Sequence, residues 1–257
     1  MAVDTEKLLN FTCEMGRSLL QNGAEIYRVE ESLHLILRAY GYQQIEIFAI
    51  PSCIIINIQG GARNHNKAIR IKTTANNLHR LNDLNALCRE ICAQTPSVEV
   101  ASMRLKQVME EPTYPWPVSY LAHAIVTFFF TLFFGGTLLD ALVAIPCGTA
   151  VKFTVFRMKR LRANAFFTNL LAAALLTCVP LMAIAAGVNV HLDTVIIGSI
   201  MLLVPGIAIT NVMRDVLSGD FLTAVTRLAE VLIVAMAIAV GVAIPITAVR
   251  ILGGMLV

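Results

Sequence analysis

From residue 118 onward the chain is a succession of long apolar runs, and this decides the solvent in which it folds. Crossing about 30 Å of hydrocarbon takes about 20 mostly apolar residues. Five runs come near that length: 118–135, containing His123; 138–156, containing Asp140 and Lys152; 164–188, with no charged side chain; 194–213; and 225–249, with Arg227 and Glu230 near its start. Lipid offers no partner to an unpaired backbone group, so each run is expected to be a helix. Charge is distributed to match. Residues 1–112 hold 24 of the 37 charged side chains, evenly divided in sign, and the net +3 resides in the remainder. Only 14% of the whole chain is charged, against roughly 25% in soluble domains. The expectation is an α-helical polytopic membrane protein of about five transmembrane helices, residues 113–257, preceded by a cytosolic α+β domain, residues 1–112.

The first domain shows ordinary amphipathic patterning. In residues 4–22, Leu8, Thr12, Met15, Gly16 and Leu19 share a face, while Lys7, Asn10, Glu14 and Arg17 lie elsewhere. Asn22-Gly23 stops that helix. A second helix over 24–40 carries Ile26, Val29, Leu33, Ile36, Leu37 and Tyr40, and Gly41 closes it. QIEIFAI, CIIINIQG and AIRIKT are short β-branched runs separated by Pro51-Ser52 and Gly60-Gly61, and they predict a small antiparallel sheet. Helices over about 76–94 and 97–110 complete an α+β domain. Pro112, Pro115 and Pro117 punctuate the boundary, with Tyr114, Trp116 and Tyr120 suited to the headgroup layer.

Basic residues in the connections set the expected orientation. Arg104 and Lys106 precede the first run; Arg157, Lys159, Arg160 and Arg162 separate the second from the third; Arg214 and Arg227 flank the fourth connection. The opposite connections, around Gly135-Gly136 and Asn189–Asp193, hold no Lys or Arg. The N-terminus is therefore expected inside the cell (inner or plasma) membrane, and five spans put the C-terminus outside. MAVDTEKLLNF has early acids and no apolar core of a signal peptide, which agrees with a cytosolic first domain. The excess of +3 without a basic, aromatic-interleaved stripe excludes nucleic acid as a partner.

The densest polar cluster near the membrane is LVPGIAITNVMRDVLSGD, residues 203–220. Pro205-Gly206 should break or bend the fourth helix, and the backbone groups so freed must face protein, water or a ligand. Asn211, Arg214 and Asp215 follow at i, i+3 and i+4, on one face of a helix. Arg214 can bind a carboxylate in a two-pronged fork, with Asp215 holding the guanidinium. The same two residues are equally readable as an interfacial ion pair that stops the helix. Ser218-Gly219 reads as a turn, with Asp220 capping the next helix. Lys152 is a pathway candidate or a snorkelling side chain. Asp140 is a helix cap or a coupling-proton site, and His123 a hydrogen-bonded packing residue. Arg28 and Glu30, early on an amphipathic helix, are gating candidates or simply solvated. Of six cysteines, Cys88 and Cys92 lie four apart, a spacing that allows a shared metal, but zinc wants closer clusters with histidine. Reduced thiols are the expectation, with no metal and no cofactor. Walker A and HExxH are missing, and Ser199 sits in IIGSIML rather than GxSxG, so catalysis is not expected.

PGIAITNVMRDVLSGD (205–220) together with GAEIYRVE (23–30) resembles the threonine/serine exporter family, over essentially the whole chain. The resemblance implies secondary export of small metabolites. Long members fuse this unit to a second small membrane domain; shorter ones look like the larger of two subunits, and one such branch is associated with succinate export. It therefore implies a small carboxylate substrate and a separate small polytopic partner, with a homo-oligomer as the other assembly, all in contact with membrane lipid. The matched positions are Arg28, Glu30, Pro205, Gly206, Asn211, Arg214, Asp215, Gly219 and Asp220. The rival reading is a membrane-anchored sensor or scaffold whose cytosolic domain binds a ligand or protein.

Overall fold

A computed structural model describes residues 4–60, 63–72, 75–111 and 114–254. Gly61, Thr73, Pro112 and Thr113, on which parts of the expected turn, third strand and domain boundary fall, lie outside the described residues. The chain divides into two compact units: Met1–Pro112 with Ser218–Thr226, and Thr113–Leu217 with Arg227–Val257.

In the first unit α1 (Thr5–Gln21) and α2 (Ile26–Ala39) precede β1 (Ile45–Ile50), β2 (Cys53–Gly60) and β3 (Arg63–Arg70), followed by α3 (Leu78–Gln94) and α4 (Val98–Glu110). The strands form an antiparallel sheet in the order β1-β2-β3. Ile50 pairs with Cys53, so Pro51-Ser52 make a two-residue hairpin turn. Alternation along β2 buries Ile54, Ile56 and Ile58 on one face. That face meets the apolar stripes of the helices. A methyl group added at Gly16 of α1 would lie 2.8 Å from both Leu33 of α2 and Ile54 of β2, so the missing side chain lets helix, helix and sheet close on one another. Burial of each such Leu or Ile stabilises by about 1.5–3 kcal/mol.

The third strand departs from expectation. It begins at Arg63 and ends at Arg70, whereas the apolar run AIRIKT starts at Ala68. RNHNKAIR pairs with β2 along its length, yet Ile69 is its one buried residue among those described. An edge strand with a wet face carries little apolar alternation, and pairing rather than hydrophobicity defines it.

The second unit contains α5 (Trp116–Phe133), α6 (Leu138–Arg160), α7 (Ala165–Ala185), α8 (Leu192–Ile200), α9 (Gly206–Leu217) and α10, which runs Phe221–Gly254 and so begins in the first unit. Four of these, α5, α6, α7 and α10, are long and apolar enough to cross a membrane. The fourth expected span, 194–213, is not one rod. α8 and α9, with 9 and 12 residues, reach only about 14 and 18 Å at about 1.5 Å per residue, separated by the non-helical stretch 201–205. The second span is longer than expected: Arg157, Lys159 and Arg160 remain helical and occupy its last turn, where they oppose the negative end of the helix dipole.

The packing is that of a bundle turned outward. α6 packs against α5, α7 and α8, around Ala144, Cys147, Val151, Ala172, Ala173, Leu176, Val195 and Ile196. Small residues permit the approach. A side chain at Gly148 would meet the His123 carbonyl at 2.5 Å, and one at Gly198 would meet Thr131 Cα at 2.7 Å. Large apolar side chains instead face away from the protein: Leu121, Phe129 and Phe133 on α5, Leu171 and Met182 on α7, Leu232, Met236 and Ile244 on α10. Water would penalise such a surface; lipid does not.

Candidate functional site

The break in the apolar unit is marked by a tightening of the hydrogen-bond ladder at the end of α8 and a reversal before α9. The Ile200 carbonyl accepts from Leu203 N–H at 2.7 Å and Val204 N–H at 3.1 Å, and Gly206 N–H turns back to the Val204 carbonyl at 2.9 Å. Pro205 has no N–H, so the bond it would owe to Met201 cannot form. Helical bonding resumes with Ile209 N–H to the Pro205 carbonyl at 3.0 Å. The first amides of α9 have no acceptor within their own helix and carry its positive end.

Beyond the break, α9 has two sides. Ala208, Asn211, Val212, Arg214 and Asp215 are buried or half-buried, while Ile209, Thr210, Met213, Val216 and Leu217 are exposed. The three polar residues expected on one face therefore share the sheltered one. Asp215 is 4% exposed. Its carboxylate reaches Arg227 of α10 at 3.2 Å. The sequence reads Arg227 only as an orientation charge and Arg214 as the guanidinium held by Asp215; the structure adds Arg227 to this site. The available signal was an arginine inside the first turns of a long apolar run, where an ionised side chain needs a counter-charge.

The remaining polar residues of this unit lie elsewhere in it. Lys152, half-buried on α6, is within electrostatic reach of His123 on α5. The His123 ring meets the Ser119 carbonyl at 2.7 Å. Asp140 closes a capping box with Thr137 at the start of α6. It accepts from Thr137 N–H and Oγ1 at 2.8 Å each, from His191 N–H at 2.8 Å, and lies 3.0 Å from His191 Nδ1. A wholly buried carboxylate thus ties the N-terminus of α6 to that of α8. Thr137 lies three residues before Asp140 at the head of an apolar run, which is the sequence pattern of a capping box and was the signal available for it; His191 and the packing glycines carry no local signature that singles them out.

In the first unit, Glu30 accepts from Ala49 N–H at 2.7 Å and so joins α2 to β1. Burial pushes its pKa above the ordinary 4.5; the Ala49 hydrogen bond pulls the other way, and the Asp220 carboxylate adds to the rise. Asp220 Oδ1 accepts from Thr223 N–H at 3.3 Å, capping α10 after the left-handed turn at Gly219. Arg28 is exposed, paired with Glu25 at 3.1 Å and set over the Tyr27 ring. The raised Glu30 value means that its carboxyl stabilises the fold below about pH 4.5 and that this contribution is lost as pH rises through the folded-state pKa. Glutamine keeps the acceptor without the charge. Glu30→Gln is expected to raise the melting temperature near pH 7.5 and to leave it unchanged near pH 4. A drop near pH 7.5 in scanning fluorimetry would show that the charge itself is required.

Burial pushes the Cys88 thiol up to about 12 and raises Cys92 too, so both are thiols in the metal-free chain at neutral pH. Among the described residues, His79, Asp83 and Glu111 do bring ligand atoms within 4.8 Å of one another, but on the surface.

A family model described as "Putative threonine/serine exporter" matches residues 10–249. The chain is 24% identical over 247 residues to the "Probable threonine/serine exporter" of Mycobacterium tuberculosis, covering 93% of this chain and 46% of that protein. It is 24% identical over 258 residues to the "Threonine/serine exporter" of Corynebacterium glutamicum, covering 97% of this chain and 53% of that protein. The chain thus spans about half the length of the curated relatives it matches. No solved structure matches. With nearly its whole length under the family model, this chain belongs to the threonine/serine exporter family.

Proposed function

We infer that the chain is the larger subunit of a two-part secondary transporter that exports small carboxylate metabolites, of the threonine/serine type or succinate. The observation that carries this reading is the interrupted α8–α9 segment: a helix N-terminus inside an apolar unit, followed by Asn211, Arg214 and Asp215 on its sheltered face, with Arg227 added from α10. Helix N-terminal amides and guanidinium groups both recognise carboxylates. In membrane interiors, irregular backbone is tolerated where it lines protein or a water-filled path. The reading takes a separate small polytopic subunit as the partner of this unit. In this reading α8 and α9 together make a fifth, broken crossing, the N-terminus is cytosolic and the C-terminus lies outside. Pro205 and Gly206 shape the path, Lys152 flanks it, and Asp140 is the carboxylate available for coupling. Asp220 is a further pathway candidate and Glu30 a gating candidate; the local, exposed contacts of Arg28 leave it outside the reading.

The test is counterflow in proteoliposomes holding the chain and its partner, against labelled serine, threonine and succinate. Arg214→Ala is expected to lower exchange of the transported substrate by at least about tenfold, equivalent to about 1.4 kcal/mol, at unchanged membrane abundance. Full exchange in that variant removes Arg214 from the pathway. Absence of flux for every substrate with a stable, folded pair favours a membrane-anchored sensor instead.

A further inference from the structure

A second feature of the first unit is independent of the transport reading. α1 and α4 leave a hollow of about 680 Å³ between them, with an apolar floor of Phe11, Val98, Leu105 and Met109. A neighbouring hollow of about 600 Å³, lined by Tyr40, Ser97 and Asp4 among others, shares Lys7, Val98 and Glu99 with the first. Both volumes fall in the range of small-molecule sites. Lys7 and Glu99 therefore stand at the lip common to the two hollows, and their side chains meet across the α1–α4 gap at 2.8 Å.

That ion pair is a poor structural device. Its members are 58% and 64% exposed, so water and salt screen it and it adds little to folding. As a recognition device it is better suited. It holds an ammonium and a carboxylate side by side above an apolar floor. The other charges at the rim already have neighbours on their own helices: Glu14 pairs with Arg17, and Lys106 with Glu110.

We propose that this hollow binds a free α-amino acid with an apolar side chain, whose carboxylate and ammonium take the places that Glu99 and Lys7 hold for one another. The α-carboxylate then meets Lys7, the α-ammonium meets Glu99, and the side chain lies on Phe11, Val98, Leu105 and Met109. Zwitterions are the class that answers both charges at once; a dicarboxylate leaves Glu99 opposed by like charge. A serine-sized side chain leaves the floor uncovered, so the preferred ligand differs from a small hydroxylated amino acid. Occupancy would make the first unit a sensor of amino acids.

Isothermal titration of the full-length protein in detergent with L-leucine tests this, beside L-serine, 4-methylpentanoate (no ammonium) and 3-methylbutylamine (no carboxylate). Leucine is expected to bind, and each of the other three at least about tenfold more weakly. Lys7→Met with Glu99→Gln, both at exposed positions, should abolish leucine binding while the melting temperature holds. Leucine binding unchanged in that double variant places the ligand elsewhere and overturns the proposal, as does silence with leucine in the folded wild type. Serine or succinate counterflow measured on the same preparation reports on the transport reading separately.

Discussion

Asp215→Asn is expected to be among the most damaging single substitutions in the apolar unit, destabilising it by about 3–5 kcal/mol. The Asp215 carboxylate and the Arg227 guanidinium lie 3.2 Å apart with side chains 5% and 12% exposed. Removing one partner leaves an ionised group where neither water nor lipid can compensate it. Removing both should recover part of the loss, because Arg227 then leaves no uncompensated charge of its own. Asp215→Asn combined with Arg227→Gln is therefore expected to be more stable than Asp215→Asn alone. Denaturant titration in mixed micelles gives the stabilities, and counterflow gives the function. If Asp215→Asn alone is as stable as the wild type, the pair is not the anchor of the α9–α10 hairpin. If the double variant both folds and transports at the wild-type rate, Asp215 has no part in the pathway.

Much of this architecture can be read from hydrophobic period alone. The stripe Leu8, Met15, Leu19 and the alternation of Ile54, Ile56 and Ile58 both point at the core the structure contains. Proline without an N–H, inside an apolar run, made the α8–α9 break foreseeable at Pro205, and the turn into α10 was foreseeable from Gly219-Asp220. What escaped notice depends on contacts between residues far apart in sequence. β3 is defined by its pairing with β2, and its polar residues give no period to detect. Arg227 becomes a site residue only because the turn after α9 returns the chain alongside it. His191 and Asp140 are 51 positions apart. Local pattern registers the charge of each but says nothing about the hydrogen bond between them.

The Asp140 junction is where that long-range information has its second large consequence. One buried carboxylate serves four donors at the ends of two helices. Asp140→Ala orphans the amides of Thr137 and His191 together and unlinks α6 from α8; a loss of about 3–5 kcal/mol is expected, since hydrogen bonds to charged groups contribute about 1.5–3 kcal/mol each and are not additive. Asp140→Asn should fall between, because its NH2 must face at least one donor. His191→Ala removes only the exposed ring, keeps the His191 amide bond, and should cost least. That last difference carries a pH signature. The hydrogen bond to Asp140, and then its charge, raise the His191 pKa above 6.5. The ring's contribution is accordingly complete below about pH 6.5 and is lost as pH rises through the folded-state value. Wild type and His191→Ala should thus differ most in melting temperature near pH 5.5 and converge near pH 9. A constant gap across that range would mean that the imidazole acts by packing and not as a cation. An Asp140→Asn protein that is folded but no longer exchanges substrate in response to a proton gradient would move Asp140 from joint to coupling site, because the loss of a cap alone does not remove proton dependence while leaving the fold in place.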